Sequence, residues 1–221
     1  MDYITLFDFW KDLSKTQQQT LSASIYEISF ENGRIVNDFN KSCKGIFAVK
    51  KGELRAFIVS PEGREITLYK VLEGEVCVLA ASCLMDSIAF DILIEAVSDT
   101  EVYLIPSKQL NNVMEENPKV GLYIYKSATE KFTKVMWTMQ QLLFMKVDER
   151  IANFILDETT KQNSNIIKVT QDEIAKQIGS AREVVSRILK YFVSEGILSL
   201  KRGQIEVLDK DKLKNMIKNE F

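Results

Sequence analysis

Histidine is absent from the 221 residues. With it go Ser-His-acid triads, Cys-His nucleophile pairs and imidazole metal sites, so most hydrolytic chemistry loses its usual base. Cysteine is scarce. Cys43, Cys77 and Cys83 are an odd set with no secretory signal ahead of them, which speaks for free thiols rather than a disulfide framework. No uncharged run of 18 residues is present to suggest a membrane helix. The start "MDYITLFDFWKD" lacks a basic region followed by an apolar one. The expected location is therefore the cytoplasm, with no membrane partner.

What is present is enough for a sizeable core: 46% of residues are hydrophobic, on a chain long enough for one large domain or two modest ones. From about Ile25 to Ile105, short apolar runs such as "GIFAVKKG", "ELRAFIV", "EITLYKVL" and "EVYLIP" are punctuated by glycines. Gly52, Gly63 and Gly74 fall eleven residues apart. That regularity suits an antiparallel β-roll whose turns need positive φ. The first domain is placed at residues 1–116.

A long helix is expected over residues 117–146, opening at Asn117-Pro118. Gly121, Tyr125, Ala128, Phe132, Val135, Met139 and Leu142 recur at alternating steps of four and three. Such a seam serves either a second copy of the chain or the chain's own domain. The dimer is the favoured reading, because Tyr123, Met136, Trp137, Leu143 and Phe144 offer a second stripe for the β-roll.

Residues 147–221 read helix, helix, helix, hairpin, helix. "TQDE" at 170–173 matches a capping box, with Ile174, Ala175 and Ile178 facing inward and Gly179 ending that helix. The next helix, in "GSAREVVSRILKY", sets Val184, Val185, Ile188 and Leu189 against Arg182, Glu183, Ser186, Arg187 and Lys190. Two short helices joined at a glycine make a helix-turn-helix, and the second carries side chains long enough to reach base edges. "GILSLKRGQIEVLD" adds a winged hairpin with Lys201 and Arg202 at its tip. Between Lys176 and Arg202 six Lys/Arg meet two Glu, whereas residues 1–147 hold sixteen Lys/Arg against nineteen Asp/Glu. A basic patch on an acidic chain attracts phosphates locally.

A β-roll, a long helix and a C-terminal winged helix-turn-helix with "SAREVVSRILKYFVSEGIL" resemble the Crp/Fnr family of bacterial transcription regulators. The likeness covers nearly the whole chain and implies an α+β fold: a cyclic-nucleotide-binding-like jelly roll, a dimerisation helix and a DNA-binding domain. It implies double-stranded DNA with a palindromic operator, a second copy of the chain and RNA polymerase as partners. It also carries base-reading roles onto Glu183 and Arg187, with Ser186 between them. The chemistry agrees, since arginine is bidentate to guanine and a carboxylate accepts from cytosine N4. Arg182, Lys190, Lys201 and Arg202 are expected on phosphates. Two alternatives stand beside these roles: Ser180 with Glu183 also fits a capping box, and the hairpin tip can be a solvated turn.

The sensory segment departs from the family. Where cyclic-nucleotide-binding members carry Gly-Glu and Arg-Ser pairs, Gly74 taken as anchor gives Val78 and Leu79, then Phe90 and Asp91. The helix positions that would meet the base fall near Val135 and Met136. An apolar pair and an acid suit no phosphate, so the expected effector is not cyclic AMP. Cys77 and Cys83, six residues apart, offer either a redox pair or two buried small hydrophobes. Three cysteines fall short of the four an iron–sulfur cluster takes in this family, and haem has no histidine ligand; no cofactor is expected. The alternatives to an effector-controlled regulator are a thiol sensor and a ligand-binding module acting on a protein partner. An enzyme is the least supported class, as no nucleophile, base and orienter come together.

Overall fold

The computed structural model describes residues 6–37, 45–78 and 92–217. They form two compact units, residues 1–58 with 68–136 and residues 59–67 with 137–221.

The first unit opens with a 3-10 turn at Asp8–Asp12 and helix α1 (Lys15–Ser22), whose first turn is closed by a Ser14–Gln17 capping box. Eight strands follow among the described residues: β1 (Tyr26–Phe30), β2 (Ile35–Asn37), β3 (Gly45–Lys51), β4 (Glu53–Val59), β5 (Glu65–Leu72), β6 (Val76–Cys77), β7 (Leu93–Ala96) and β8 (Thr100–Pro106). They build two four-stranded sheets, in the orders β1-β8-β3-β6 and β2-β7-β4-β5, with antiparallel registers such as Phe47 opposite Leu104 and Arg55 opposite Glu95.

Strand β3 explains why part of the roll reads as unbroken hydrophobic runs. Ile46 and Ala48 enter one core cluster, with Phe9, Trp10, Leu110 and Ile124, while Phe47 and Val49 enter another, with Leu54, Tyr69 and Ile94. A strand buried on both faces has no polar side to show. Burial of one such aromatic contributes roughly 1.5–3 kcal/mol. Gly52, between β3 and β4, has φ +89° and sits so close to Asp99 and Thr100 that a Cβ would overlap their backbone. Only glycine meets both demands.

Helix α2 (Ser107–Glu116) leads into the long helix α3 (Pro118–Phe144). Val120, Ile124 and Ala128 of α3 pack into the first core cluster, and Val135 packs against the second. This division differs from the expected two stripes. Tyr123 packs on the roll as expected, and Ala128 and Val135 of the expected seam lie there too, whereas Met136, Trp137, Leu143 and Phe144, expected to face the roll, are exposed. Leu122, Tyr125, Phe132, Met136, Met139 and Leu143 form an exposed apolar series, again at steps of three and four with Thr129 in the one gap, and Trp137 and Phe144 lie exposed beside it. Apolar spacing fixes a periodicity, but a helix this apolar offers two overlapping registers and only packing selects between them. Leu142, the last position of the expected seam, is half-buried.

Within the second unit come α4 (Val147–Lys161), β9 (Ile166–Lys168), α5 (Gln171–Ile178), α6 (Arg182–Ser194), β10 (Leu198–Lys201), β11 (Gln204–Val207) and α7 (Lys210–Asn215). Ile151, Ile155, Ile174, Val185, Leu189, Phe192 and Leu213 share one core. Strand β9 was not foreseen; it pairs with β11, Ile167 opposite Ile205, and makes the wing a three-stranded sheet of order β10-β11-β9. At three residues it is too short to carry a pattern of its own. No helix among the described residues is long and apolar enough to cross a membrane.

Candidate nucleic-acid interface

The site begins at the first turn of α5. Thr170 caps it: its hydroxyl accepts from the Glu173 amide at 3.2 Å, and the Glu173 carboxylate accepts from the Thr170 amide at 2.6 Å. The helix stops at Gly179, held at φ 65° and ψ 47°, whose amide bonds to the Ala175 carbonyl. A left-handed residue reverses the chain at little cost only when it lacks a Cβ. After two intervening residues α6 starts at Arg182. Its N-cap is Ala181, with no side-chain cap. The alternative box between Ser180 and Glu183 is thus not formed, and the Glu183 carboxylate is left uncommitted.

Helix α6 buries Val185, Leu189 and Phe192 completely. On the other side Arg182, Glu183, Arg187 and Lys190 are exposed and Ser186 is half-exposed. Steps of three and four put them on one face. These five residues and Gln171 line a recess of about 460 Å³. Among the described residues, Arg182, Arg187, Lys190 and Arg202 enter no ion pair. Exposed, unpaired guanidinium and carboxylate groups along one helix face are ready-made donors and acceptors for base edges and phosphates.

The wing continues this surface. β10 and β11 pair from Leu198–Val207 to Lys201–Gln204, and Gly203 turns at φ 70°. Lys201 and Arg202 line a second recess of about 610 Å³ together with Thr170, Gln171 and Arg182. Lys201 keeps only a long 3.8 Å contact to Glu206. The hairpin tip is therefore brought to the first turns of α5 and α6. Gln171, which the sequence reading passed over, borders both recesses. Its signal was its position directly after the capping threonine, where a helix presents free amides toward an anion.

The sensory residues are placed less completely. Leu79, Cys83, Phe90 and Asp91 lie outside the described residues. Cys77 is fully buried, Val135 is half-buried against the roll core and Met136 is 44% exposed. Beside Val135 the structure adds Lys131, which the sequence reading did not single out. It is only 6% exposed, its Nζ lies 3.3 Å from a Glu75 carboxylate oxygen and 5.6 Å from the centre of the Tyr69 ring. Lys134 Nζ reaches the other Glu75 oxygen at 3.3 Å. Burial alone would raise the Glu75 carboxyl, but the two ammonium groups outweigh it and hold the group below the usual range. Tyr69, pushed upward by burial, has a hydroxyl with no hydrogen-bond partner among the described residues.

Residues 149–216 match the Crp-like helix-turn-helix domain, and residues 27–117 match the cyclic nucleotide-binding domain. The structure resembles the crystal structure of a putative transcriptional regulator of the Crp/Fnr family from Eubacterium rectale, with a TM-score of 0.90 and 37% identity over 97% of this chain and 99% of that one. The transcriptional activator protein anr of Pseudomonas aeruginosa is 25% identical over 74% of this chain and 69% of its own length. The cAMP-activated global transcriptional regulator CRP of Pasteurella multocida is 23% identical over 70% and 76%. These relatives are named as transcription regulators. A capped helix, a glycine turn, an unpaired polar helix face and a β-roll ahead of them thus agree with every comparison: the chain belongs to the Crp/Fnr family of DNA-binding transcription regulators.

Proposed function

We propose that the chain acts as a homodimer on a palindromic operator, with one α6 in the major groove of each half-site and the two half-sites about 34 Å apart. Glu183 accepts from a cytosine N4 amino group, Arg187 donates to guanine O6 and N7, and Ser186 lies between them at the base edges. Arg182, Lys190, Lys201 and Arg202 hold the phosphate backbone, and Gln171 joins them at the start of α5. The observation that carries this reading is the α6 face itself: Glu183 and Arg187 stand one helical turn apart, exposed, neither spent on a cap nor on an ion pair.

The second copy docks along the exposed apolar register of α3 at Tyr125, Phe132, Met136 and Met139. An effector other than cyclic AMP, bound in the roll, biases the spacing of the two recognition helices. RNA polymerase is the downstream partner. Family membership supports this scheme, as does the match of residues 27–117 to the cyclic nucleotide-binding domain.

Selecting bound fragments from the organism's genomic DNA tests the reading and yields the half-site. On that site Arg187→Ala is expected to weaken binding by about 1–3 kcal/mol while nonspecific affinity stays nearly intact; Lys201→Ala is expected to weaken all sequences alike. Equal specific and nonspecific losses in Arg187→Ala would reduce Arg187 to a phosphate contact.

A further inference from the structure

Arg150, on the first turns of α4, is a buried cation without an acid. It is 9% exposed, and among the described residues it enters no ion pair and its Nε has no hydrogen-bond partner. Its neighbour Glu149 is also buried, but that carboxylate accepts from the Lys146 amide at 2.9 Å and is spent capping α4. The hydrogen bond that the guanidinium does make among the described residues runs elsewhere. Nη1 donates to the Ile178 carbonyl at 2.7 Å.

Ile178 is the last residue of α5, and the chain turns at Gly179 immediately after it. The carbonyls at a helix C-terminus have no partner within the helix and carry its negative dipole end. A guanidinium placed there satisfies one of them with a charge-assisted bond, across two elements and 28 positions apart in the chain. Desolvation works against the arrangement: burial pulls the Arg150 pKa downward, and the orphan Nε adds to the cost. An apolar side chain of similar length would fill the same space without desolvating a charge. The group is thus a poor choice for stability alone and a good one for fixing where α5 ends.

We propose that Arg150 is a positioning residue for operator reading: by holding the Ile178 carbonyl against α4 it fixes the α5–α6 turn, and so the direction in which Glu183 and Arg187 are presented. Nonspecific binding needs only cations near phosphates, so it tolerates a loose turn. Base reading requires atoms held to a fraction of an ångström and does not. The proposal rests on the reading of α6 given above.

The test compares operator and scrambled duplexes of equal length with the full-length protein, at a temperature where circular dichroism shows each variant folded. Arg150→Met, which keeps the apolar stem and removes the donor, is expected to lower operator affinity about tenfold or more while leaving scrambled-duplex affinity nearly unchanged. Arg150→Lys, with charge but shorter reach, is expected to fall between Arg150→Met and the parent. Leu213→Ala, which removes a fully buried side chain of the same core, provides loss of stability without loss of the clamp, and its operator-to-scrambled ratio is expected to hold. An unchanged ratio in Arg150→Met overturns the proposal, as does an equal fall in Leu213→Ala. Failure of both Arg150 variants to fold would make the guanidinium a stability element and overturn it too. If Arg187→Ala also leaves the ratio unchanged, the reading of α6 fails; if only Arg150→Met does, the reading stands and the clamp falls.

Discussion

The α6–wing surface of the DNA-binding unit and the core of the β-roll treat their cations in opposite ways. Along α6 and the wing, Arg182, Arg187, Lys190 and Arg202 are exposed and enter no ion pair among the described residues. In the roll the two buried cations among the described residues are each tied to a carboxylate: Arg55 to Glu95 at 2.5 Å, with its guanidinium stacked 4.1 Å over Phe57, and Lys131 to Glu75. Water holds an exposed charge ready at little cost, so a surface meant for phosphates can leave its cations unpaired until the ligand arrives. A buried cation has no such reserve, and the two in the roll each take a counter-charge within the fold. The difference teaches which of the two sets of cations can accept an anion without first breaking a bond of its own.

The largest expected effect lies between the units' tasks, on α3. Phe132 is 63% exposed, so a charge there leaves the monomer's core untouched. In a dimer joined along this register, Phe132→Glu would set like charges face to face. We expect monomers by sedimentation and loss of operator binding at physiological salt by at least about a thousandfold, because a single half-site gives only part of the contact energy. A variant that still sediments as a dimer would break the assignment of the exposed register to a second copy.

How much of this was legible beforehand follows the same division. The capping threonine, the Gly179 turn and the alternation of Val185, Leu189 and Phe192 with Arg182, Glu183 and Arg187 are local signals, each set within a few residues, and the helix-turn-helix could be read from them. Gln171 was legible in principle from its place beside Thr170. Lys131, Glu75 and Arg150 were not. Each gets its partner from a different element, 56 positions away for Lys131 and 28 for Arg150, and a lone Lys or Arg on an amphipathic helix reads as a solvated one. The partition of α3 failed for a related reason. Ala128 and Val135 are as apolar as Met136 and Trp137, and only the packed roll decides which pair it takes.

A smaller effect would sharpen the contrast at Glu75. Its carboxyl is held below the usual range in the folded chain by Lys131 and Lys134. A group with a depressed folded pKa contributes stability that is present above its unfolded pKa, near 4.3, and lost as pH falls through the folded value. Glu75→Gln keeps an oxygen for the Lys131 ammonium but not the charge. The half-exposed carboxylate discounts the pair, and we expect a loss of about 1 kcal/mol at pH 7 by urea unfolding. The gap between parent and variant is expected to close as pH falls below about 4. A gap that stays constant with pH would mean that the contact acts by shape and not by charge.

The smallest expected effect is none at all, and it bears most directly on the comparison. Residues 27–117 match the cyclic nucleotide-binding domain, and the CRP relatives are named as cAMP-activated, yet a cyclic nucleotide in a partly desolvated site needs its phosphate charge compensated. Arg55 is bound to Glu95 and Lys131 to Glu75, so either cation could serve a phosphate only by leaving a carboxylate buried or half-buried without it. We therefore expect that neither cyclic AMP nor cyclic GMP at millimolar concentration shifts the melting temperature, although a ligand at a hundred times its dissociation constant would stabilise the protein by about 2.7 kcal/mol. A clear shift with either nucleotide, lost in Lys131→Met, would show that the ammonium exchanges Glu75 for phosphate. The roll would then resemble the recognition helix in how it uses charge, and the contrast between the two units would fall.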